Sequence, residues 1–160
     1  MLVTDSQLKC QFSSAKKDWE TPQDLFDQLD KQYHFTLDAA SSDENAKCRK
    51  HFTKRDDSLT QNWGGHTVWL NPPYGRQIGR WVQKAFQESQ KPNTTVVCLL
   101  PARTDTAWFH DYCVHGRISF IRGRVRFSGC DHNAPFPSMV VVFDGKCPCD
   151  ALQCATIAFN

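Results

Sequence analysis

The sequence predicts an α/β fold, with a mostly parallel sheet closed at its C-terminal side by an antiparallel, hairpin-like strand. Three observations lead there. Short apolar runs at Phe35-Thr36-Leu37, Thr67 to Leu70 and Thr94 to Leu100 have strand length and stop at polar residues or proline. Segments with helical spacing of apolar residues separate or precede them. Beyond Gly116 the pattern changes to closely spaced strand-like runs, Arg117 to Ile121, Val125 to Phe127 and Ser138 to Phe143.

Taken in order, Thr21-Pro22-Gln23-Asp24 reads as an N-cap, a proline at the first helical position and an acid soon after, with Leu25, Phe26 and Leu29 on one face of the helix that follows. Phe35 to Leu37 is then a brief strand ending in Asp38-Ala39-Ala40. Ser41 to Lys50 is polar and holds at most a helical turn. After the strand Thr67 to Leu70 and the stop Asn71-Pro72-Pro73-Tyr74, residues Ile78, Trp81, Val82, Ala85 and Phe86 share one helical face. Lys91-Pro92-Asn93 ends that helix, Thr94 to Leu100 is a buried-type strand stopped by Pro101, and Thr106 to Cys113 is a short helix. A long loop, Ser128 to Pro137, separates the last two strands.

The chain has 160 residues, 40% of them apolar and 22% charged, which suits one ordinary domain with a sizeable core. The expected organisation is a polar N-terminal extension over 1–17, a domain over 18–143 and a Cys-rich tail over 144–160. The longest apolar runs, such as Val96 to Leu100, fall far below the roughly 18 residues of a membrane span. The N-terminal segment lacks the apolar core of a signal peptide, so a cytoplasmic location and reduced thiols are expected.

In open sheets of this kind ligands sit beyond the carboxyl ends of the strands, and two polar motifs stand at such ends: Asp38-Ala39-Ala40 and Asn71 to Tyr74. They are expected to share one crevice. Pro72 and Pro73 fix φ at about −65° and hold the preceding residues extended, so the Asn71 side chain and the Pro72 carbonyl are presented as a rigid pair of acceptors. An amino group conjugated to a heterocycle or a carbonyl is a poor nucleophile. Two acceptors gripping its hydrogens draw the nitrogen toward tetrahedral geometry and free its lone pair. Tyr74 adds a flat face for an extruded base. The alternative is a proline-rich turn with a core tyrosine.

Charge is nearly balanced at +2, but its distribution is uneven. Arg117, Arg122, Arg124 and Arg126 fall within ten residues, and five arginines accompany a single lysine between positions 92 and 160. Guanidinium groups in that excess favour bidentate anion binding, phosphate above all. A solvated, charge-protected sheet edge is the alternative.

Seven stretches in one order, DWETPQDLFDQLD, FTLDAASSDENAKC, DDSLTQNW, VWLNPPYG, LLPARTDTAWFHD, IRGRVRF and APFPSMVVVF, resemble the small phage-type DNA adenine N6-methyltransferases. The likeness runs from about Asp18 to Phe143. It implies a Rossmann-like methyltransferase fold and S-adenosyl-L-methionine as methyl donor. It also implies the exocyclic amine of adenine in double-stranded DNA as acceptor, with Asn71, Pro72, Pro73 and Tyr74 as the catalytic loop. A monomer or weak dimer is expected.

For the cofactor, the helix start at Thr21 and Pro22 offers N–H groups to a carboxylate, Asp38 suits an ammonium, and Ala39 keeps the wall low. Thr21 is equally a simple cap. By resemblance Asp57 accepts from the cofactor's adenine amine, and Glu44 is assigned to its ribose hydroxyls. Phe127 matches the place where related enzymes set a second aromatic against the flipped base, although a core strand residue would look the same. Arg103 follows the neighbouring strand end and could meet a DNA phosphate or the cofactor, and Arg122, Arg124 and Arg126 are the phosphate-facing stripe.

The Gly-x-Gly that the wider methyltransferase class carries after its first strand is replaced here by Asp-Ala-Ala. Cys147-Pro148-Cys149 with Cys154, and Cys130 with His132, have poor zinc-ligand spacing, and no metal is expected. Pro148-Cys149 resembles the nucleophile of cytosine C5 methylation, but it lies in the expected tail, away from a cofactor pocket. A glutamine side-chain amide or an RNA base amine would also suit the acceptor pair, and a binding module without turnover stays open.

Overall fold

Strand β3, Thr95–Pro101, is buried along almost its whole length, and the other elements are arranged around it. The computed structural model describes residues 18–146 and 153–158. Within them lie helix α1 (Gln23–Tyr33), strands β1 (Leu37–Asp38) and β2 (Thr67–Leu70), helix α2 (Ile78–Ser89), β3, helix α3 (Ala107–Asp111) and strands β4 (Arg117–Ile121), β5 (Ser138–Phe143) and β6 (Gln153–Ile157). The six strands form one sheet in the order β1-β2-β3-β5-β4-β6.

The sheet is mixed. β1, β2 and β3 run parallel, β5 is antiparallel to both β3 and β4, and β6 is parallel to β4. The expectation of a mostly parallel sheet closed by an antiparallel edge is corrected accordingly: β5 is an interior strand, with all six residues buried. An apolar run without polar alternation, SMVVVF, is what two covered faces and two paired edges require. The last expected strand is also not the last one, because β6 lies within the region taken as a tail and pairs with β4 from Arg117↔Gln153 to Ile121↔Ile157.

Val125 to Phe127 is not a strand. Gly123, at φ +83°, turns the chain away after β4, a conformation that costs glycine little. Val125 and Phe127 then point inward and Arg124 and Arg126 outward, reproducing strand-like alternation without a ladder. Val125 O accepts from Ala134 N–H at 2.8 Å and Phe127 O from Cys130 N–H at 3.2 Å, while the next residue, Ser128, donates its N–H to Glu20 O at 2.9 Å.

α1 buries Leu25, Phe26 and Leu29, and Phe26 meets Trp69 of β2 edge-on at 5.7 Å. Its N-cap is Pro22, one residue later than expected: the Pro22 carbonyl accepts the first helical bond from Phe26 N–H at 3.1 Å, and the Thr21 hydroxyl is engaged elsewhere. At the other end His34 adopts the left-handed region (φ 56°), its N–H donating to Asp30 O. α2 buries Ile78, Val82 and Ala85, packs on β3 and β5, and touches α3. The register Asp38↔Trp69 between β1 and β2 brings the ends of these strands side by side.

Candidate active site

Asn71 is the first residue after β2, and its side-chain nitrogen donates to Trp19 O at 2.5 Å and to Thr21 Oγ1 at 2.9 Å. A carbonyl can only accept, so the amide nitrogen must face Trp19. Both amide hydrogens are thereby used. The oxygen Oδ1 is turned the other way, is buried, and has no partner. A buried acceptor left without a donor costs free energy, and such groups concentrate where a ligand supplies what is missing.

The far end of the loop is pinned as well. Tyr74 Oη donates to Leu99 O of β3 at 2.9 Å, and burial pushes this phenol well above its ordinary pKa. Its ring, 8% exposed, lies 6.2 Å from Phe127 and 5.7 Å from Phe136. Trp19 packs on the same two phenylalanines, each at 5.3 Å. Tyr74 and Phe127 thus sit in one aromatic cluster, and Phe127 is core.

A cavity of about 920 Å³ opens beyond the carboxyl ends of β1 and β2. Asn71, Pro72 and Pro73 line it from one side and Thr21, Asp38, Ala39, Glu44 and Asp57 from the others. Pro22 and Tyr74 do not line it, nor do Arg103, Arg122, Arg124, Arg126 and Phe127. The crevice expected from the two motifs therefore exists, and of the helix start Thr21 is in its wall and Pro22 is not.

Within it Asp38 mainly shapes its own loop. Oδ1 accepts from Ala40 N–H at 3.2 Å and Oδ2 from Lys47 N–H at 2.9 Å. Burial raises the carboxyl's pKa, and these N–H groups work against the rise. Glu44 is exposed, with its carboxyl held below the usual range by a hydrogen bond to Ser42. Asp57, exposed and in the left-handed region at φ 47°, joins two 3-10 turns, Lys54–Asp56 and Ser58–Thr60. The loop is further tied by Asp43, which bonds His51 Nε2 and Arg55 Nη2, each at 2.9 Å.

Two cavity residues had no local signal in the sequence. Ser41 Oγ and Ser58 Oγ are buried without a partner, and both residues line the cavity with Asn71. Three of the four buried side-chain oxygens without a partner among the described residues thus belong to residues of the cavity wall, the fourth being Ser138 Oγ on β5. Arg76, exposed at its mouth, was also missed. Arg103, Arg122, Arg124 and Arg126 are all exposed; Arg117 is exposed as well, but its guanidinium is ion-paired with Asp144. Ser128, just beyond that stripe, joins the segment that holds Asn71: its N–H bonds Glu20 O and its hydroxyl bonds Thr21 O at 3.3 Å.

Residues 9–149 match the family described as DNA N-6-adenine-methyltransferase (Dam). The chain belongs to this Dam family. It is 30% identical to the "DNA N-6-adenine-methyltransferase" of Haemophilus phage HP1 (strain HP1c1) over 171 residues, covering 99% of this chain and 95% of that protein. It is 33% identical to the protein of the same name from Escherichia phage T1 over 130 residues, covering 66% of this chain and 54% of that one. Among the described residues of this Dam-family chain, no three or more His, Cys, Asp or Glu residues stand together as a metal site, and no helix is long and apolar enough to cross a membrane. Cys147 and Cys149 lie outside the described residues. Burial pushes the Cys113 thiol up to about 12 and Cys98 well above its ordinary value, which leaves neither a nucleophile.

Proposed function

We propose that the chain methylates the N6 amine of adenine in double-stranded DNA, using S-adenosyl-L-methionine, after the base is extruded to the Asn71-Pro72-Pro73-Tyr74 loop. The observation that carries the reading is the unpartnered Asn71 Oδ1. With its nitrogen committed to Trp19 and Thr21, Asn71 offers an acceptor and no donor, and so favours a substrate that brings an N–H. The Pro72 carbonyl takes the second amine hydrogen. Together they localise the nitrogen lone pair. No side chain has to act as base, because the methylated amine gives its proton to water.

The cavity fits the cofactor. Its volume lies in the range of ligand pockets, and its lining combines carboxylates, orphaned hydroxyls and low alanine walls. S-adenosyl-L-methionine, when bound, supplies an electrophilic methyl group on a sulfonium. Asp38 and the adjoining Ala39 form the floor, Thr21 stands beside them, and Glu44 and Asp57 serve the ribose hydroxyls and the adenine amine. Pro22 supports the wall from outside it. This arrangement is read as Rossmann-like, with the ligand beyond parallel strands β1, β2 and β3.

Tyr74 is the stacking partner in this reading, with Phe127 behind it, and base entry requires Phe136 to give way. Arg103, Arg122, Arg124 and Arg126 meet backbone phosphates, where planar guanidinium groups bind two oxygens at once. The protein acts as a monomer or weak dimer in the cytoplasm, its catalytic domain taken over 18–143 with β6 added at the edge of its sheet.

The test is nucleoside analysis after incubation of the protein with methyl-labelled cofactor and unmethylated duplex DNA. Label in N6-methyldeoxyadenosine is expected. Label in cytosine, in RNA or in protein instead, or cofactor bound with no methyl transferred, would overturn the reading.

A further inference from the structure

Glu88 lies on α2 with 4% of its surface exposed, and the chemistry above gives it no task. Its carboxylate accepts three hydrogen bonds: Lys84 Nζ at 2.6 Å, Lys91 Nζ at 2.7 Å and the backbone N–H of Trp63 at 2.8 Å. Burial alone would raise its pKa, but these donors hold the carboxyl below the usual range.

The same lysines reach past Glu88 to the loop that contains Trp63. Lys84 Nζ donates to Gln61 O at 2.6 Å, and Lys91 Nζ to Asn62 Oδ1 at 2.7 Å. Trp63 is fully buried, stands under Lys84 Nζ at 5.5 Å, and its indole N–H donates to Ser58 O at 3.1 Å. Ser58, Asp57 and Leu59 line the cavity. One carboxylate thus sits at the root of the bonds that fix residues 57–63, the segment carrying one orphaned hydroxyl and the acid assigned to the cofactor.

We infer that Glu88 is a positioning residue for the cofactor site: with Lys84 and Lys91 it clamps the Asp57–Trp63 loop, setting affinity for S-adenosyl-L-methionine and not for DNA. The inference rests on the reading of the cavity given above. A carboxylate suits the task because it accepts from two cations and an amide at once, which a neutral side chain of this size cannot do.

The test compares the full chain with Glu88→Ala and with the double substitution Lys84→Met/Glu88→Met. The double variant removes the buried charge of Lys84 together with its partner, so that only the Trp63 N–H and the more exposed Lys91 lose an acceptor. Calorimetry gives the dissociation constants for S-adenosyl-L-methionine and for duplex DNA, and amide hydrogen exchange is followed in the ligand-free protein. Expected for both variants is a weakening of cofactor binding by roughly tenfold, the cost of one lost buried hydrogen bond, with DNA affinity kept. Exchange should accelerate at 58–63 while β2 and β3 stay protected, and Glu88→Gln, which retains an acceptor for Trp63 N–H, should recover part of the cofactor affinity. Unchanged cofactor affinity in a folded variant, or equal weakening for cofactor and DNA, overturns the inference alone. A parent chain that binds no S-adenosyl-L-methionine overturns the cavity reading and the inference with it.

Discussion

Thr21 Oγ1 accepts a hydrogen bond from Asn71 Nδ2 at 2.9 Å, joining residues fifty positions apart. The Trp19 carbonyl shares the same amide. Replacing Thr21 by Val removes one of the two restraints on the amide plane. Turnover is expected to fall about tenfold through kcat, in line with one lost hydrogen bond, with KM for the cofactor little changed. Steady-state kinetics on duplex DNA checks this, and a change confined to KM would contradict it.

Asn71→Ala removes the acceptor itself. Methyl transfer should drop by about two to three orders of magnitude, the usual cost of deleting a group that stabilises charge redistribution in the transition state, while cofactor binding persists. Single-turnover rates and calorimetry separate the two.

The exposed guanidinium groups of Arg124 and Arg126 predict a salt effect. Replacing both by Ala should lower the slope of log affinity against log salt by about 2, roughly one unit for each phosphate no longer neutralised. Fluorescence anisotropy over a salt series measures it. Arg117→Ala, by contrast, should leave the slope unchanged, since its partner is Asp144.

How much of this was legible in the sequence follows from the range of each signal. α1, α2, β2 and β3 announce themselves through apolar spacing within a few residues, and the Asn71 loop through its prolines. Val125 to Phe127 has strand-like inside-outside alternation, but pairing is decided by Glu20 and Ala134, which no local pattern encodes. The place of β5 between β3 and β4 is likewise a matter of distant partners, and β6 hid in a stretch with little alternation. Thr21 looked like a cap because Thr-Pro is a common helix start; its hydroxyl was claimed by Asn71 instead. Ser41, Ser58 and Glu88 gain their meaning only from what the fold brings beside them.

Two titrations should shape stability, with opposite signs. Hydrogen bonding to Asp43 raises the pKa of His51. The folded state then binds the proton more tightly than the unfolded one, so this contribution is complete below the ordinary value of about 6.5 and fades as pH rises through the higher folded value. Thermal melts across that interval should lose part of their pH slope in His51→Asn.

Glu88 behaves in the reverse sense, its carboxyl being held low. Its contribution is present above the ordinary value of about 4.3 and is lost as pH falls through the lower folded one. Glu88→Ala, which leaves the Lys84 ammonium without its buried counter-charge and the Trp63 N–H without an acceptor, should cost about 3 kcal/mol in denaturant unfolding.

The short stretch from Trp19 to Thr21 belongs to no helix and to no strand of the sheet, yet it orients the reactive amide and anchors Ser128 beside the arginines. A protease nick or an engineered start placed just after Thr21 would therefore strike twice: the reactive amide would lose both restraints on its plane, and the aromatic cluster would lose the indole that packs on Phe127 and Phe136.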